Sequence, residues 1–357
     1  MNRKFQISIL CLLLVIAGLL FADATRWNIN SRPTDRWFDG STGDPAWNWM
    51  KDIDDLVELG QNPGTGRVFY VDSGVVNEGD GTDWDNAKDT LEEAVQLCTA
   101  DRGDYILVAQ GHAETFTSED LDVDIAGVTI VGCGRGSLRP TITYNHTNAE
   151  VAIGADNVTI VNMRFITSVT GVLMGIEVED GVSYFTLRNC EFNEVGDATG
   201  TDEFVEAVNF VNANVGCTIE NCRFIAKAAG ASAAIFLDAD TDQLTIRNCD
   251  IRGDYSTACI AGDTTASTNI LIQGNILING SLVGDGGINA VAAISLLDAT
   301  AGLIVDNRIV SDVATGLLMR VADDCVFMNN YISDCDGDEF SGTKEDDAAS
   351  ITGHEDG

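Results

Sequence analysis

An eight-residue pattern of apolar and polar positions recurs eight times between residues 128 and 332, at intervals of 23 to 32 residues. The copies are VTIVGCGR (128–135), VTIVNMRF (158–165), FTLRNCEF (185–192), CTIENCRF (217–224), LTIRNCDI (244–251), ILIQGNIL (270–277), GLIVDNRI (302–309) and CVFMNNYI (325–332). Apolar side chains favour the third, sixth and eighth positions, so the strict alternation of a β-strand breaks once in each copy. Such a bounded but irregular interval is typical of a solenoid of short strands and variable loops.

The break falls at the fifth position of the pattern and predicts a corner in every coil. This position always holds Gly, Asn or Asp, which tolerate the left-handed region of backbone conformation. Its occupants are Gly132, Asn162, Asn189, Asn221, Asn248, Gly274, Asp306 and Asn329. Each copy is therefore predicted to form one strand before the corner and one after it.

Another strand is predicted about a dozen residues before each of the later copies. Its copies are LMGIEV (173–178), EAVNFV (206–211), AAIFLD (233–238), TACIAG (257–262), AAISLL (292–297) and TGLLMR (315–320). Their apolar residues alternate, as expected when one face of each strand is buried. Stacking such strands in parallel gives a closed apolar interior. The predicted fold class is all-β, a right-handed parallel β-helix.

The sixth position of the pattern predicts what fills part of that interior. It holds a cysteine in four copies, namely Cys133, Cys190, Cys222 and Cys249. Stacked neighbours lie about 4.8 Å apart with parallel side chains, whereas a disulfide needs Cβ atoms about 3.8 Å apart. Buried free thiols are therefore favoured over disulfides. Asn275, Asn307 and Asn330 replace them in the last copies, and we expect a hydrogen-bonded ladder because buried amides need partners.

An amphipathic helix is predicted over residues 86–97 (NAKDTLEEAVQL), at the N-terminal end of the solenoid. Leu91, Ala94, Val95 and Cys98 recur there at helical spacing, which indicates one apolar face. The exposed end of a solenoid needs such a cover. We interpret the helix as an N-terminal cap.

The segments around this helix carry a resemblance to a known group of proteins. They are GRVFYVDSG (66–74), GDGTDWDNAKDTLEEAV (79–95) and GDYILVAQGHAET (103–115). A strand, a Gly/Asp loop, a capping helix and a first rung in this order resemble the opening of right-handed β-helix proteins of the pectin-lyase-like superfamily. The resemblance covers roughly residues 66–335. It implies the fold and leaves the activity open, because that superfamily holds lyases, hydrolases, epimerases, tailspikes, adhesins and virion proteins.

The remaining segments define the predicted domain organisation. Residues 1–24 have a basic start, an apolar run and an Ala-Asp-Ala exit, which predicts a cleaved signal peptide, with a permanent anchor as the alternative. Residues 25–64 form an arm with a short predicted helix and four of the five tryptophans. Docking of this arm on a partner or a neighbouring subunit, and packing on the solenoid wall, both fit. Residues 65–335 form the β-helix, and residues 336–357 an acidic tail predicted to be disordered.

The net charge of −36 limits the kinds of partner that the protein can bind. It argues against nucleic acid and against an anionic membrane surface, because both would repel the chain. After signal cleavage we expect no membrane association. The protein is predicted to be secreted, and to lie outside the cell or on a cell or particle surface.

The resemblance implies which residues could be catalytic, since β-helix lyases use an Arg or Lys base near calcium-binding aspartates. Most surface arginines are predicted to pair instead, because their charges alternate in sign from coil to coil. The alternating rows are Arg164, Glu191, Arg223 and Asp250 after the corner, and Arg188, Glu220 and Arg247 before it. Lys227, Arg252 and Arg320 remain as candidate bases. No hydrolase motif accompanies the late doublet Asp323-Asp324, and His112 is interpreted as a packing residue.

One candidate metal site follows the last repeat. Asp334, Asp336 and Asp338 occupy positions 1, 3 and 5 of a calcium loop, and Glu345 occupies position 12. Glu339 stands at position 6, where such loops have glycine, so the match is incomplete. Calcium is the one cofactor that the sequence suggests.

These observations predict a secreted, non-enzymatic β-helix with a structural, adhesive or glycan-binding role. The expected partners are an extracellular polysaccharide or neighbouring surface subunits, with oligomerisation through residues 25–64. The alternative is a polysaccharide lyase or a glycoside hydrolase that acts on an extracellular glycan.

Overall fold

The computed structural model describes residues 66–333 except 77, 195–201, 228–229, 263–266, 281–291, 297–300, 312–318 and 322–324, and the backbone of 351–352 and 355–356. The predicted signal peptide (1–24), the arm (25–64) and the calcium loop (334–345) lie outside the described residues. Among the described residues, no helix is long and apolar enough to cross a membrane.

Three long sheets, here called A, B and C, are built from strands numbered in chain order. Sheet A contains β1 Val68–Val71, β2 Tyr105–Val108, β5 Thr129–Gly132, β8 Thr159–Val161, β11 Thr186–Arg188, β15 Thr218–Glu220, β19 Thr245–Arg247, β22 Ile270–Gln273, β25 Gly302–Val305, β28 Cys325–Met328 and β30 Ile351–Thr352. Sheet B contains β3 Ala113–Phe116, β6 Thr141–Tyr144, β9 Arg164–Thr167, β12 Glu191–Glu194, β16 Arg223–Ala226, β20 Asp250–Gly253, β23 Ile276–Asn279, β26 Arg308–Ser311, β29 Tyr331–Ser333 and β31 Glu355–Asp356. Sheet C contains β4 Glu119–Val123, β7 Glu150–Ile153, β10 Val172–Val178, β13 Phe204–Phe210, β17 Ala233–Leu237, β21 Ala258–Gly262, β24 Ile294–Leu296 and β27 Met319–Val321.

Each strand pairs in parallel with the equivalent strand of the next coil, as β11 does with β8 and β15. A short additional pair, β14 Asn214–Val215 and β18 Thr241–Asp242, follows the same rule. The predicted right-handed parallel β-helix is confirmed. Its strands enclose one continuous apolar core, in which the rings of Phe165, Phe192 and Phe224 stack with centroids 4.8 Å apart at each step.

The corner predicted inside each repeat is confirmed in seven copies and wrong in one. The seven, all with φ between +54° and +65°, are Asn162, Asn189, Asn221, Asn248, Gly274, Asp306 and Asn329. Gly132 instead ends strand β5, and the left-handed residue of that copy is Gly134. Glycine is needed at 132 for a different reason, since a Cβ there would lie 2.4 Å from the carbonyl oxygen of Asn162.

A second left-handed corner, which the sequence did not reveal, lies two residues before the first outward-facing residue of seven sheet A strands. Its occupants are Gly103, Gly127, Asn157, Tyr184, Gly216, Gln243 and Asn269. Five of them are Gly or Asn, whereas Tyr184 and Gln243 adopt the same conformation with longer side chains. Gly and Asn therefore predominate at this corner, and Tyr184 and Gln243 are its exceptions.

The side chain at the sixth position of the pattern is buried, as predicted, in every copy except the first. Cys190, Cys222 and Cys249 are free and buried. Cys133 is free but only partly buried, because the corner of its copy is displaced. The three asparagines form the expected ladder, in which Asn307 Oδ1 accepts from both the backbone N–H and the side chain of Asn275, at 2.9 and 3.0 Å.

The cap is shorter than predicted. The helix α1 covers Leu91–Val95, and its predicted apolar residues Leu91, Ala94 and Val95 are buried. It begins at Leu91 rather than at residue 86 because Lys88 is held in an extended pairing, in which its N–H donates to Tyr70 O at 2.8 Å. A separate 3-10 turn occupies Trp84–Asn86.

The acidic tail is not wholly without structure. Its strands β30 and β31 pair with β28 and β29 of the last coil. A parallel coil leaves unpaired backbone groups at its edge, and these strands satisfy some of them. The prediction of disorder for the rest of the tail concerns residues outside the described ones.

Candidate functional site

The outward row of sheet C carries a different residue type on almost every coil. Ile176, Val208 and Ile235 lie in the core, so the residue after each of them points outward. In register this row is Glu177, Asn209, Phe236, Ala261 and Ser295, with Arg320 at the next register position. Because neighbouring residues of this row differ in type, pairing of identical side chains across strands does not explain why these residues occur there.

Sheet A behaves differently and provides the contrast. One of its two outward rows repeats one residue over five coils, as Thr129, Thr159, Thr186, Thr218 and Thr245. The other contains the charge ladder of Arg188, Glu220 and Arg247, whose variation is explained by ion pairing. A repeated row is explained by cross-strand pairing alone. The varied row of sheet C is therefore the candidate functional surface.

A bend in sheet C brings a carboxylate next to this row. Ala207 and Val208 are consecutive and both belong to the core, so alternation breaks between them and Glu206 faces outward with Asn209. The neighbouring strand passes close by at the bend, since a Cβ at Gly175 would lie 2.6 Å from the carbonyl oxygen of Ala207. The bend places two polar side chains of one strand on the same face.

Glu206 and Asn209 contact one another directly. The Asn209 Nδ2 donates a hydrogen bond of 2.5 Å to Glu206 Oε2. Burial raises the pKa of Glu206, the hydrogen bond from Asn209 partly opposes the rise, and the charge of Asp238 adds to it. The carboxyl group is thus held closer to its protonated form than an ordinary surface glutamate.

Asn209 also carries an unused acceptor. Its side chain is 5% exposed, and its Oδ1 has no hydrogen-bond partner among the described residues. Leaving a buried acceptor unpaired costs about 1–3 kcal/mol. A ligand hydroxyl that donated to this oxygen would remove that cost.

An aromatic side chain completes the candidate site on the next coil. Phe236 is partly buried and packs on a small apolar cluster separate from the main core, formed by Ala233, Ala258, Ala261 and Ala292. An aromatic face beside a few fixed polar groups is a typical arrangement for binding a small organic ligand. The site defined by Glu206, Asn209 and Phe236 is called the sheet C site below.

The three predicted bases do not converge on this site. Lys227 directly follows β16 and Arg252 lies in β20, on neighbouring strands of sheet B, whereas Arg320 lies in β27 of sheet C. Arg252 pairs with Asp250 at 2.5 Å. Lys227 and Arg252 therefore lie on a different sheet from the sheet C site.

The predicted charge ladders are present. Glu191 accepts from Arg164 at 3.0 Å and contacts Arg139 at 3.4 Å, and Glu220 is paired with both Arg188 and Arg247. Burial alone would raise the pKa of Glu220, but the hydrogen bond from Arg247 and the charge of Arg188 bring it below the usual value. These arginines are structural partners of carboxylates.

His112 is also structural, as interpreted from the sequence. It is buried, its Nδ1 accepts from the backbone N–H of Ser73 at 2.9 Å, and its Nε2 lies 3.2 Å from Glu114 Oε2. The ring therefore connects the chain after β1 to the start of β3.

The candidate calcium ligands Asp334, Asp336, Asp338 and Glu345 lie outside the described residues. Within the described part, the side chains of Glu78, Asp89 and Glu93 bring ligand atoms within 4.8 Å of one another near the cap. Lys88 is ion-paired with Glu78 and supplies a cation there. We assign no metal to this group.

The sheet C site was not predicted from the sequence, because it contains neither an unpaired base nor a pair of aspartates. A usable signal was nonetheless present in the second-strand copies LMGIEV, EAVNFV and AAIFLD. Their outward position reads Glu, Asn and Phe, whereas the inward positions stay apolar. Variation at one fixed position of an otherwise regular repeat marks this face.

Three kinds of comparison with known proteins were informative to different degrees. No protein-family model matches the sequence, and a search of curated proteins finds no match. Solved structures with similar folds include pectate lyase Pel9A, with 15% identity, 78% of each chain covered and a TM-score of 0.45. A lacto-N-biosidase of the GH136 group from Eubacterium ramulus has 11% identity over 86% of this chain and 70% of that chain, with a TM-score of 0.42. A pectin methylesterase from Aspergillus niger has 17% identity over 78% of this chain and 90% of that chain, with a TM-score of 0.39.

At these identities the likeness concerns the fold alone. The strand order itself shows stacked parallel sheets, the architecture that the resemblance implies. Activity has to be inferred from the side chains of this chain.

Proposed function

We propose that this protein is an extracellular β-helix that binds a polysaccharide at the sheet C site. The observation that carries the proposal is the buried, unpaired Oδ1 of Asn209, next to Glu206 and one coil from Phe236. Sugars offer many hydroxyl donors and acceptors together with apolar C–H faces. The site offers the matching acceptor, carboxyl group and ring face.

The charge of the protein favours a neutral polysaccharide over an acidic one. The net charge is −36, and Glu206 and Asp238 add negative charge at the site itself. An anionic chain such as a polyuronate would be repelled unless cations screened it. Neutral hexose or pentose polymers meet no such barrier.

Hydrolysis of the bound glycan is the second candidate function. It is supported by the raised pKa of Glu206, because a glycosidase needs a carboxyl group that stays protonated to act as general acid. Asp238 is close enough to influence that pKa and is the candidate second carboxylate. The lyase alternative is less well supported, since Arg252 is ion-paired with Asp250.

A direct test measures affinity for a panel of soluble neutral and acidic polysaccharides by affinity electrophoresis. Wild type is expected to be retarded by at least one neutral polymer. Asn209→Leu should lose most of this retardation, whereas Asn193→Leu, a matched change on the outer face of sheet B, should keep it. Equal retardation of the two variants, or binding of acidic polymers alone, would refute the proposal.

The same preparations separate binding from hydrolysis. Release of reducing ends from the bound polymer is measured for wild type and Glu206→Gln. A hydrolase should lose turnover in Glu206→Gln while keeping most of its affinity. Binding without any release of reducing ends would leave the non-enzymatic role.

Three further features of the sequence extend the proposal beyond the site. We propose secretion through residues 1–24 and attachment or oligomerisation through the Trp-rich residues 25–64. Deletion of 25–64 should abolish assembly or surface attachment and leave the β-rich circular dichroism intact. We also propose calcium binding at Asp334, Asp336, Asp338 and Glu345, which Asp336→Asn should weaken in a terbium luminescence titration.

A further inference from the structure

Tyr184 adopts a strained backbone conformation at the second corner of the coil. Its φ is +60°, in the left-handed region that bulky side chains avoid. The same position holds glycine or asparagine on the coils of Gly127, Asn157, Gly216 and Asn269. A tyrosine here is unfavourable for the backbone, so its ring needs another explanation.

Packing into the core does not provide that explanation, because 57% of Tyr184 is exposed to solvent. Its ring instead rests on the next coil at Gly216. A Cβ added to Gly216 would lie 2.7 Å from both Cδ1 and Cε1 of the ring, so only glycine leaves room for it. One side of the ring is thus supported by backbone while much of the remainder stays open.

Two exposed amide side chains lie along the same corner row. Asn157 precedes Tyr184 by one coil, and Gln243 follows Gly216 by one coil. The backbone links these coils directly, since Asn157 N–H donates to Ser183 O at 3.0 Å and Gly216 N–H donates to Asp242 O at 2.9 Å. With coils about 4.8 Å apart, the backbone of Asn157 lies one coil from that of Tyr184, and the backbone of Gln243 lies two coils from it on the other side.

Both amides are available for a ligand. Within the described part of the chain, neither side chain makes a hydrogen bond, and both are exposed. The neighbouring carboxylates are engaged, because Asp156 accepts from Ser183 N–H at 2.8 Å and Asp242 accepts from Thr268 N–H at 2.9 Å. The row therefore presents a supported aromatic ring between neutral donors and acceptors.

We propose that Tyr184, with Asn157 and Gln243, forms a second carbohydrate-binding site, at the corner between sheets C and A. The apolar C–H face of a neutral pyranose ring stacks on the open part of the Tyr184 ring, and the two amides bind its hydroxyls. The strain at Tyr184 is retained because the ring serves binding rather than stability. This site uses none of the residues of the sheet C site and does not depend on it.

The test exploits the opposite effects expected on stability and on binding. Tyr184→Gly relieves the left-handed strain, so its melting temperature should equal or exceed that of wild type. Its affinity for a neutral polysaccharide (a β-glucan, a xylan, a mannan and a galactan as probes) should fall at least fivefold. Tyr184→Trp should keep the affinity, and Tyr331→Ala, which removes an exposed tyrosine of sheet B, should leave it unchanged.

Comparison with Asn209→Leu distinguishes this site from the sheet C site. Loss of affinity in Tyr184→Gly supports the corner site whatever Asn209→Leu does. Unchanged affinity in Tyr184→Gly, alongside a loss in Asn209→Leu, overturns the corner site and leaves the proposed function standing. A lower melting temperature with unchanged affinity, or no binding of any neutral polymer by wild type, would also overturn it.

Discussion

Asn221 shows how a single residue shapes a coil. It lies at the corner between β15 and β16 with a φ of +55°, and its side chain is exposed. Asparagine tolerates this conformation because its short polar side chain causes little clash with the backbone. The residue is selected by its backbone geometry, since the side chain contributes no packing.

Replacing Asn221 with valine should therefore destabilise the solenoid by about 1–3 kcal/mol, because a β-branched residue is forced into the left-handed region. Thr218→Val, on the outward face of the same coil, should change the free energy of unfolding little. Urea denaturation of both variants measures the difference. Equal losses at the two positions would mean that Asn221 is not held at a strained corner.

Gly132 shows that the position of a residue in a repeat does not by itself determine its structural role. It occupies the corner position by alignment but lies in β5, where Asn162 Nδ2 donates to its carbonyl oxygen at 2.6 Å. Glycine serves both a left-handed corner and a close approach of two backbones, and the sequence does not distinguish the two. The contact of Gly132 with Asn162 on the next coil shows that this glycine serves a close approach.

At the scale of elements, the asparagine ladder holds the later coils together at their interior. Asn275, Asn307 and Asn330 each donate through Nδ2 to a backbone carbonyl, those of Ile246, Ile272 and Ile304. Each Oδ1 accepts from the N–H of the preceding coil, as Asn330 Oδ1 does from Asn307 at 3.0 Å. The ladder was predictable because buried amides require partners.

Asn307→Ala should destabilise the protein by roughly 2–4 kcal/mol, because several buried groups lose their partners at once. Cys222→Ala, at the equivalent position of an earlier coil, removes a small apolar group and should cost only about 1 kcal/mol. Chemical denaturation of the two variants provides the comparison. Similar losses would show that the ladder contributes no more than packing.

The cap and sheet C show which elements the sequence predicts poorly. The apolar face of α1 was predictable from its spacing, but its start was not, because the pairing of Lys88 with Tyr70 involves residues distant in sequence. The strands of sheet C were predictable from alternation. The bend that turns Glu206 to the same face as Asn209 depends on the packing of neighbouring strands. The local sequence pattern therefore did not predict it.

At the scale of the whole molecule, the protein is predicted to be stabilised without disulfides. No disulfide joins any of the described cysteines, and all but Cys133 are buried. Burial raises the pKa of Cys133 to about 12 and that of Cys217 to about 11. Since the thiolate is the reactive form, these groups should react slowly in the native protein at neutral pH.

Thiol titration with and without denaturant, in the absence of reductant, checks this prediction. Most of the cysteines should react after unfolding and few before it. Detection of one thiol or none in the denatured protein would mean that disulfides form after all. A fast native reaction of most thiols would instead contradict their burial.

The fold could be predicted from the sequence because every coil repeats the same apolar positions and the same corner. A copy that departs from the pattern, such as the one with Gly132, does not change the prediction that the other copies support. Within the part of the chain that the structure describes, the sheet C site occurs once. Asn209 and Phe236 occupy the same position of the repeated strand, but the residue type there changes from coil to coil. The significance of Glu206, Asn209 and Phe236 depends on a contact, a burial and a charge that the three-dimensional structure provides.

The most direct test of the account is the pKa of Glu206, measured by carboxyl NMR with and without a bound neutral oligosaccharide derived from the polymer that binds. The account predicts a value above the ordinary glutamate pKa of about 4.3 in the free protein, because burial and Asp238 disfavour the ionised form. A ligand over the site excludes more water and should shift the pKa again when it saturates the protein. A free value at or below the ordinary one, or no change on saturation, would contradict the assignment of this face as the glycan site.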